Sequence, residues 1–203
     1  MISEADHERI SGAIAAAEQE TTGEIVCVIA RQSSTYSAIP VTYAALAALL
    51  LPLPLLEFTA LSAQRIYLAQ LGCFMAVLVL LSLRWLRFFI VPRSVKRARA
   101  EAAALHQFNM RHVSRTAERT GLLIYVSLAE RVARIVADDG VSAKVPQADW
   151  DGAIQLIVDH ARRGEVADGC IAAIDVCGAL LHEHCPAGPE GNPNELPDRV
   201  YVI

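Results

Sequence analysis

The sequence predicts an α/β domain that is interrupted by a transmembrane helical hairpin. Short runs rich in β-branched residues predict buried strands, and amphipathic segments before and after them predict helices. Two long apolar segments lie close together between the first predicted strand and the rest of the domain. Because the strands are apolar throughout, we expect helices to cover both faces of a small sheet.

The apolar residues are concentrated in one part of the chain. Of 203 residues, 54% are hydrophobic and the mean hydropathy is +0.35. Both values are high for a purely soluble protein, and most of the excess lies between Ile39 and Val91. One ordinary domain plus a short membrane segment therefore accounts for the length.

The first predicted elements are a helix over residues 3–20 and a strand over Glu24–Ala30. Ser3 is a favourable N-cap residue, and acidic residues follow it in the first turn. Ile10 and Ile14 lie on an apolar stripe at helical spacing. The strand is an uninterrupted apolar run after Glu24, which predicts burial on both faces.

Two apolar segments follow a polar linker over residues 31–38. Residues 39–56 and 66–83 are each 18 residues long and carry no ionisable side chain. As helices they would each span about 27 Å, close to the thickness of a hydrocarbon core. Prolines in the first segment predict a kink or an end near Leu51. Buried helices of a soluble domain are the alternative, but two such segments joined by residues 57–65 favour a membrane hairpin.

The charge distribution predicts the orientation of this hairpin. Six basic residues and no acid lie between Arg84 and Arg99, whereas the loop between the two segments carries one base, Arg65. By the positive-inside rule, both ends of the hairpin face the cytoplasm of a plasma or inner membrane. The aromatic residues Trp85, Phe88 and Phe89, which are interleaved with Arg84 and Arg87, predict an interfacial belt. From residue 138 onward acids outnumber bases by twelve to four, which speaks against a nucleic-acid partner.

The remaining chain predicts three helices, two strands that form a β-hairpin and a short edge strand. A helix is expected from Pro92 to about Glu118, with Ala102, Leu105, Phe108, His112 and Val113 facing inward. A strand over residues 122–128 and a second over residues 132–137 should form a hairpin. Helices then run from about residue 147 to Arg163, where Gly164 caps the end, and from Val166 to Cys185. Residues 200–203 are expected to add a short edge strand.

The cysteines and the N-terminal residues favour a cytoplasmic domain. Five cysteines with no C-x-x-C pair do not form a disulfide framework. Cys170 and Cys177 share a helix face, which predicts small core side chains in a reducing compartment. The first ten residues lack the pattern of a signal peptide.

The ordered set of motifs resembles the TPM domain family. The opening helix leads to Thr22-Gly23-Glu24, and Thr120-Gly121 opens the strand that ends in Ser127-Leu128. The other matching residues are Phe108, Thr116, the run from Glu130 to Asp138, Gly140, Trp150, Gly169 and Pro186. This resemblance implies an α/β/α sandwich with a central mixed sheet, formed by residues 1–38 and 92–203 on either side of a hairpin over residues 39–91.

The resemblance implies two kinds of function. Weak phosphatase activity and calcium binding are associated with some family members, and others resemble assembly or maintenance factors of membrane proteins. The commoner arrangement in the family is a signal peptide with an extracytoplasmic domain. This chain departs from that arrangement, so the activities attributed to it do not transfer directly.

The residues favour one candidate for a metal site. Asp138 and Asp139 follow a strand, and Glu24 opens another strand, so the three carboxylates would supply hard oxygen ligands for calcium or magnesium. The alternative is that Asp138-Asp139-Gly140 is a turn and Glu24 a solvated strand end. His182 and His184 diverge on a helix and do not form a joint site. The threonines Thr116 and Thr120 are expected to cap backbone groups.

Two functional classes remain open after this reading. The sequence has no P-loop, no dinucleotide-binding glycine motif and no Cys-x5-Arg phosphatase loop. It is therefore expected to be a non-catalytic interaction or maintenance module at the cytoplasmic membrane surface, with the lipid bilayer and other membrane proteins as partners. The alternative is a weak phosphatase that uses a divalent metal at Asp138 and Asp139.

Overall fold

A computed structural model of the chain describes residues 2–83, 86, 90–188 and 191–203. The chain divides into two compact units, one formed by Met1–Ser33 with Lys96–Ile203 and the other by Ser34–Val95. In chain order the helices and strands are α1 (Glu4–Glu18), β1 (Glu24–Ala30), α2 (Ala38–Leu50), α3 (Pro52–Phe58), α4 (Ala63–Ser82), α5 (Arg93–Met110), β2 (Gly121–Ser127), β3 (Val132–Ala137), α6 (Asp139–Ser142), α7 (Asp151–Arg163), α8 (Val166–His184) and β4 (Val200–Val202).

The first unit contains a four-stranded mixed sheet in the order β3-β2-β1-β4. Strand β1 runs parallel to β2 and to β4, and β2 pairs with β3 as an antiparallel hairpin. Glu24 lies opposite Gly121, and Ala30 lies opposite Ser127. The expected β-hairpin of β2 and β3 and the expected edge strand β4 are both confirmed.

Helices pack on both faces of this sheet, as expected from its apolar strands. Alternate residues of β1 (Ile25, Cys27 and Ile29) belong to a buried cluster with side chains of α1, α7 and α8. The intervening residues Val26 and Val28 belong to a second cluster with side chains of α5. Every residue of β1 and β2 is buried, because each strand has a helical layer on either side.

Local signals place the ends of several helices where the sequence predicts them. Ser3 caps α1 in a capping box with Asp6, and Gly164 ends α7 in the left-handed conformation at φ 85°. Gly121 begins β2 in a position with no room for a side chain, because a Cβ there would lie 2.1 Å from the carbonyl oxygen of Val113.

The prediction for α5 is wrong in its end and in part of its inward face. The helix ends at Met110 rather than near Glu118, because His112 adopts the left-handed conformation at φ 58° and a short 3₁₀ turn follows. The buried residues are Ala100, Ala104 and Phe108, whereas Ala102, Leu105 and His112 are exposed and Val113 is buried as expected. Small side chains at positions 100 and 104 allow the helix to lie close to the sheet.

The second unit consists of apolar helices. The helix breaks between Leu50 and Pro52, as the prolines predict, and α2 packs against α4 around Ala44, Ala48 and Ile66. Ala38–Phe58 and Ala63–Ser82 contain 21 and 20 residues, with mean hydropathies of 2.0 and 1.8. By length and composition alone, both are sufficient to cross a bilayer.

Part of the predicted hairpin lies outside the described residues. This holds for the interfacial belt of Trp85, Phe88 and Phe89 and for the adjacent bases Arg84 and Arg87. The belt and its contribution to orientation therefore stay predictions.

Candidate functional site

The two aspartates of the predicted metal site lie in an ion-paired turn. The buried carboxylate of Asp138 accepts two hydrogen bonds from Arg119, with Nε–Oδ2 and Nη2–Oδ1 distances of 3.0 and 2.9 Å. The same guanidinium binds Asp139 at 2.7 Å. Asp138 also accepts the backbone N–H of Asp139 as the cap of α6. Both carboxylates therefore already have a positive partner.

Arg119 is the residue that the sequence prediction omitted at this turn. The hydrogen bonds and charge of Asp138, together with the charge of Asp139, raise the pKa of Arg119. A Cβ on Gly140 would lie 2.4 Å from the carbonyl oxygen of Glu118, so the turn also needs glycine at that position. These features are those of a tightly built structural turn.

Glu24 has different partners from the two aspartates. It is 1% exposed, and its carboxylate accepts the backbone N–H groups of Glu195 and Leu196 at 3.2 and 2.9 Å. Burial raises the pKa of Glu24, and these hydrogen bonds oppose the rise. Glu24 thus fastens the segment before β4 to the first residue of β1.

The described residues do not bring the three predicted carboxylates into one metal-binding group. Within residues 2–83, 86, 90–188 and 191–203, no three His, Cys, Asp or Glu side chains are arranged to hold a metal ion. Binding of calcium or magnesium by Asp138, Asp139 and Glu24 stays a prediction.

A second group of acidic side chains forms the most unusual electrostatic feature of the domain. Glu18, at the end of α1, is 4% exposed, and burial together with the negative charges of Glu24 and Asp198 raises its pKa to about 9. Its Oε1 atom accepts the backbone N–H of Ile25 at 2.6 Å. The Oε2 atom of Glu18 and the Oδ1 atom of Asp198 are both buried, and the side chain of Asp198 interacts with that of Glu18 and contributes to its raised pKa. Glu18 therefore carries a proton at neutral pH.

Asn192 also holds the chain that returns toward β4. The side-chain amide of Asn192 donates to the carbonyl oxygens of Glu18 and Gly23 at 3.1 and 3.5 Å. Nearby, the hydroxyl of Thr120 donates to the carbonyl oxygen of Thr22 at 2.7 Å.

The sequence contained a signal that Glu18 is buried, because Glu18 follows Ile10 and Ile14 at intervals of four residues on the inward face of α1.

The two threonines of the family resemblance bind backbone groups, as predicted. The Oγ1 atom of Thr116 accepts the backbone N–H of Thr120 at 3.0 Å, and both side chains are buried. They stabilise the loop that leads into β2.

A polar network lies at the opposite end of the sheet. Ser33 Oγ donates to Ser127 Oγ at 2.9 Å and lies 3.1 Å from the hydroxyl of Tyr125. The hydroxyl of Ser127 donates to Glu130, which also accepts the backbone N–H of Ser33 at 3.1 Å. Burial raises the pKa of Tyr125, so its hydroxyl stays protonated. The network attaches the chain after β1 to the turn between β2 and β3.

An apolar cavity of about 150 Å³ lies beside this network. Its wall combines residues of the β2–β3 hairpin with residues of α7, and two arginines, Arg131 and Arg162, contribute to the lining. Sequence reasoning missed this cavity, because its wall comes from elements far apart in the chain.

Cys170 and Cys177 are core residues, as predicted. Cys27, Cys170 and Cys177 are free and fully buried in one cluster, and burial raises the pKa of Cys177 to about 12. A hydrogen bond with Cys170 and burial also raise the pKa of Cys27, so the thiols of Cys27 and Cys177 are protonated and apolar in character.

Comparison with known proteins confirms the resemblance inferred from the motifs. The sequence model of the TPM domain matches residues 85–180. The NMR structure of the BA42 protein from the psychrophilic bacterium Bizionia argentinensis is similar in fold, with a TM-score of 0.63 and 17% sequence identity over 100% of this chain and 96% of that one. No curated protein matches the chain. The structural similarity supports the α/β fold, and the sequence match shows that residues 85–180 resemble the TPM domain.

Proposed function

We propose that this chain is a membrane-anchored interaction module. The proposal starts from the match of residues 85–180 to the TPM domain. In this proposal α2–α4 cross the bilayer as a hairpin, and the α/β unit lies at the cytoplasmic surface. Its role is non-catalytic: it binds or maintains other membrane proteins.

One observation carries the anchoring part of the proposal. The large apolar side chains of the helical unit are exposed, with Leu49, Leu53 and Val79 exposed by 67%, 64% and 61%. Within the most apolar part of each candidate span, 17% of Ala38–Phe58 and 6% of Ala63–Ser82 is buried. Exposed apolar surface this extensive is unstable in water, and a lipid environment removes the cost.

The side-chain partners favour a non-catalytic role. Asp138, Asp139 and Glu24 are engaged by Arg119 or by backbone N–H groups. Glu18 is enclosed and protonated, so it is not available as a carboxylate ligand at neutral pH. These four acidic side chains thus join segments of the domain.

Alkaline carbonate extraction of membranes tests the anchor, with the intact chain compared with a variant in which residues 39–91 are replaced by a Gly/Ser linker. The intact chain should stay in the membrane pellet and the variant should be released. Release of both would contradict the proposal.

A phosphatase assay tests the non-catalytic role. The intact chain in detergent should show no phosphate-ester hydrolysis above background with calcium or magnesium. Metal-dependent hydrolysis that disappears in Asp138→Asn/Asp139→Asn would establish the alternative function.

A further inference from the structure

The cavity beside the β2–β3 turn combines an apolar wall with positive charge. Val132 and Ala133 of β3 and Ile157 and Val158 of α7 form much of the wall. The side chain of Arg162 is 66% exposed, and Arg131 is also exposed. A ligand for this site must therefore be apolar in its centre and negative at its edge.

The charges around the cavity favour an anionic ligand. Among the described residues, Arg131 forms no ion pair, and Arg162 is paired with Asp159 at 3.1 Å on an exposed helix surface. An exposed pair of this kind contributes only about 0–1 kcal/mol, so Arg162 can bind another carboxylate at little cost. The nearest acid in sequence, Glu130, is directed to the hydroxyl of Ser127 and the backbone of Ser33.

The volume of the cavity limits the apolar part of the ligand. A cavity of about 150 Å³ accepts one benzene-sized group, whereas pockets for drug-sized ligands span roughly 300–1,000 Å³. The site therefore fits a single large side chain rather than a complete acyl chain.

The position of the cavity in the sheet favours an extended peptide. Strand β3 lies at the edge of the sheet, and no further described strand pairs with its outer side. Backbone groups at such an edge are available to an added strand. An apolar side chain from a peptide beside β3 would then have a cavity within reach.

We infer that this cavity binds an acidic peptide segment of a partner protein, with one large apolar side chain in the cavity and flanking carboxylates on Arg131 and Arg162. The inference deepens the proposed interaction role and rests on it. Carboxylates are the planar anions that arginine binds best, through paired hydrogen bonds.

The test uses the full chain in nanodiscs of zwitterionic lipid, with methyl NMR of Val132, Ile157 and Val158 as the local readout. The probe is acetyl-Asp-Glu-Phe-Asp-Glu-amide. The matched probes replace the central Phe by Ala or the four acids by Lys. Only the first peptide should produce saturable shifts of these methyl groups.

Two pairs of variants separate the apolar and the charged contributions. Ala161→Phe, which fills the cavity, should abolish the shifts, and Gly152→Phe on an exposed position of α7 outside the lining should retain them. Arg131→Glu/Arg162→Glu should weaken binding by at least about tenfold, because hydrogen bonds to charged groups are lost. Arg163→Glu, next to the site but outside its lining, should bind nearly as the parent does.

Three results would overturn the inference: equal binding of all peptides, no shift with any peptide, or binding that survives Ala161→Phe. In a second set of nanodiscs that contain anionic lipid and no peptide, saturating shifts of the same methyl groups would assign the cavity to lipid and also overturn the inference. Failure here would leave an anchored protein whose partner binds elsewhere. Failure of carbonate extraction would contradict the anchoring itself, whatever the peptide does.

Discussion

At the scale of single residues, buried acidic groups join parts of the chain that are distant in sequence. Glu18 links α1 to β1, and Glu24 links β1 to the segment before β4. A buried carboxyl group is tolerated when it is hydrogen-bonded or protonated, and both conditions hold for Glu18. This environment gives the domain a pH-dependent stability.

Replacing Glu18 with Gln should remove much of the loss of stability at high pH. The pKa of Glu18 rises from 4.5 to about 9 on folding. Because the fold favours the protonated form of Glu18, its contribution to stability is fully present below the unfolded pKa of 4.5. This contribution is lost as the pH rises through the folded pKa of about 9. The free energy of unfolding of the parent chain should therefore fall between pH 5 and pH 9, as measured by denaturant titration in detergent.

Glu18→Gln should show a smaller decrease over this interval and exceed the parent in stability at pH 9. The decrease caused by Glu24, whose pKa is also raised, remains in both proteins. Glu8→Gln, on an exposed position of α1, serves as the matched control and should follow the parent. Parallel curves for Glu18→Gln and the parent would show that Glu18 is ionised in the fold.

Calcium or magnesium should not raise the melting temperature of the parent chain through the Asp138–Asp139 turn. Arg119 already compensates both carboxylates, so an ion gains little by binding there. Thermal unfolding at millimolar metal, compared with Asp138→Asn/Asp139→Asn, measures this directly. A bound ion at a hundredfold excess over Kd would stabilise the fold by about 2.7 kcal/mol. A shift of a few degrees that the double variant lacks would show a metal site at this turn.

At the scale of elements, periodicity and cap residues predicted most helices and strands. Of the strand order, the sequence predicted the β2–β3 hairpin and the edge position of β4. Apart from Glu24 and Arg134, the residues of β1 and β3 are apolar, and turn residues follow or precede both runs, so their limits were predictable. The end of α5 was not, because the sequence continues with residues that tolerate a helix and only the left-handed His112 ends it. The Glu18–Asp198 contact was likewise unpredictable, because it depends on how the last segment returns to the sheet.

Gly121→Ala should destabilise the domain, because the added Cβ would lie 2.1 Å from the carbonyl oxygen of Val113. Overpacking of this kind costs about 1–3 kcal/mol. Gly12→Ala is the matched control: nothing lies within 4 Å of a Cβ there, and alanine favours the helix by up to about 1 kcal/mol. Chemical denaturation should thus rank the proteins Gly12→Ala, parent and Gly121→Ala in decreasing stability. A Gly121→Ala variant as stable as the parent would show that the loop at Val113 moves freely.

At the scale of the whole molecule, a helical unit is inserted between strands that pair with each other. Strand β1 precedes the apolar helices in the chain and lies between β2 and β4 in the sheet. The fold therefore needs residues from both sides of the insertion. A sequence model that matches residues 85–180 covers only the later part of this arrangement.

Residues 92–203 expressed alone should aggregate or remain molten. Without β1, strands β2 and β4 lose their shared neighbour, and several fully buried side chains of both core clusters lose their contacts. Each large apolar side chain contributes about 1.5–3 kcal/mol, so losing a few would remove a typical domain stability. Coexpression with residues 1–38 should restore a cooperative transition in circular dichroism. A well-dispersed NMR spectrum from residues 92–203 alone would contradict the interrupted-domain account.

Cysteine accessibility in intact cells tests the central claim, a domain held at the cytoplasmic surface by a membrane hairpin. In a Cys73→Ala background the remaining native cysteines are buried, so Ser62→Cys and Gly12→Cys introduce exposed thiols between the two spans and on α1. An impermeant maleimide should label Ser62→Cys in intact cells and should label Gly12→Cys only after the membrane is permeabilised. Labelling of Gly12→Cys in intact cells would contradict the orientation, and protection of both positions until permeabilisation would contradict the hairpin.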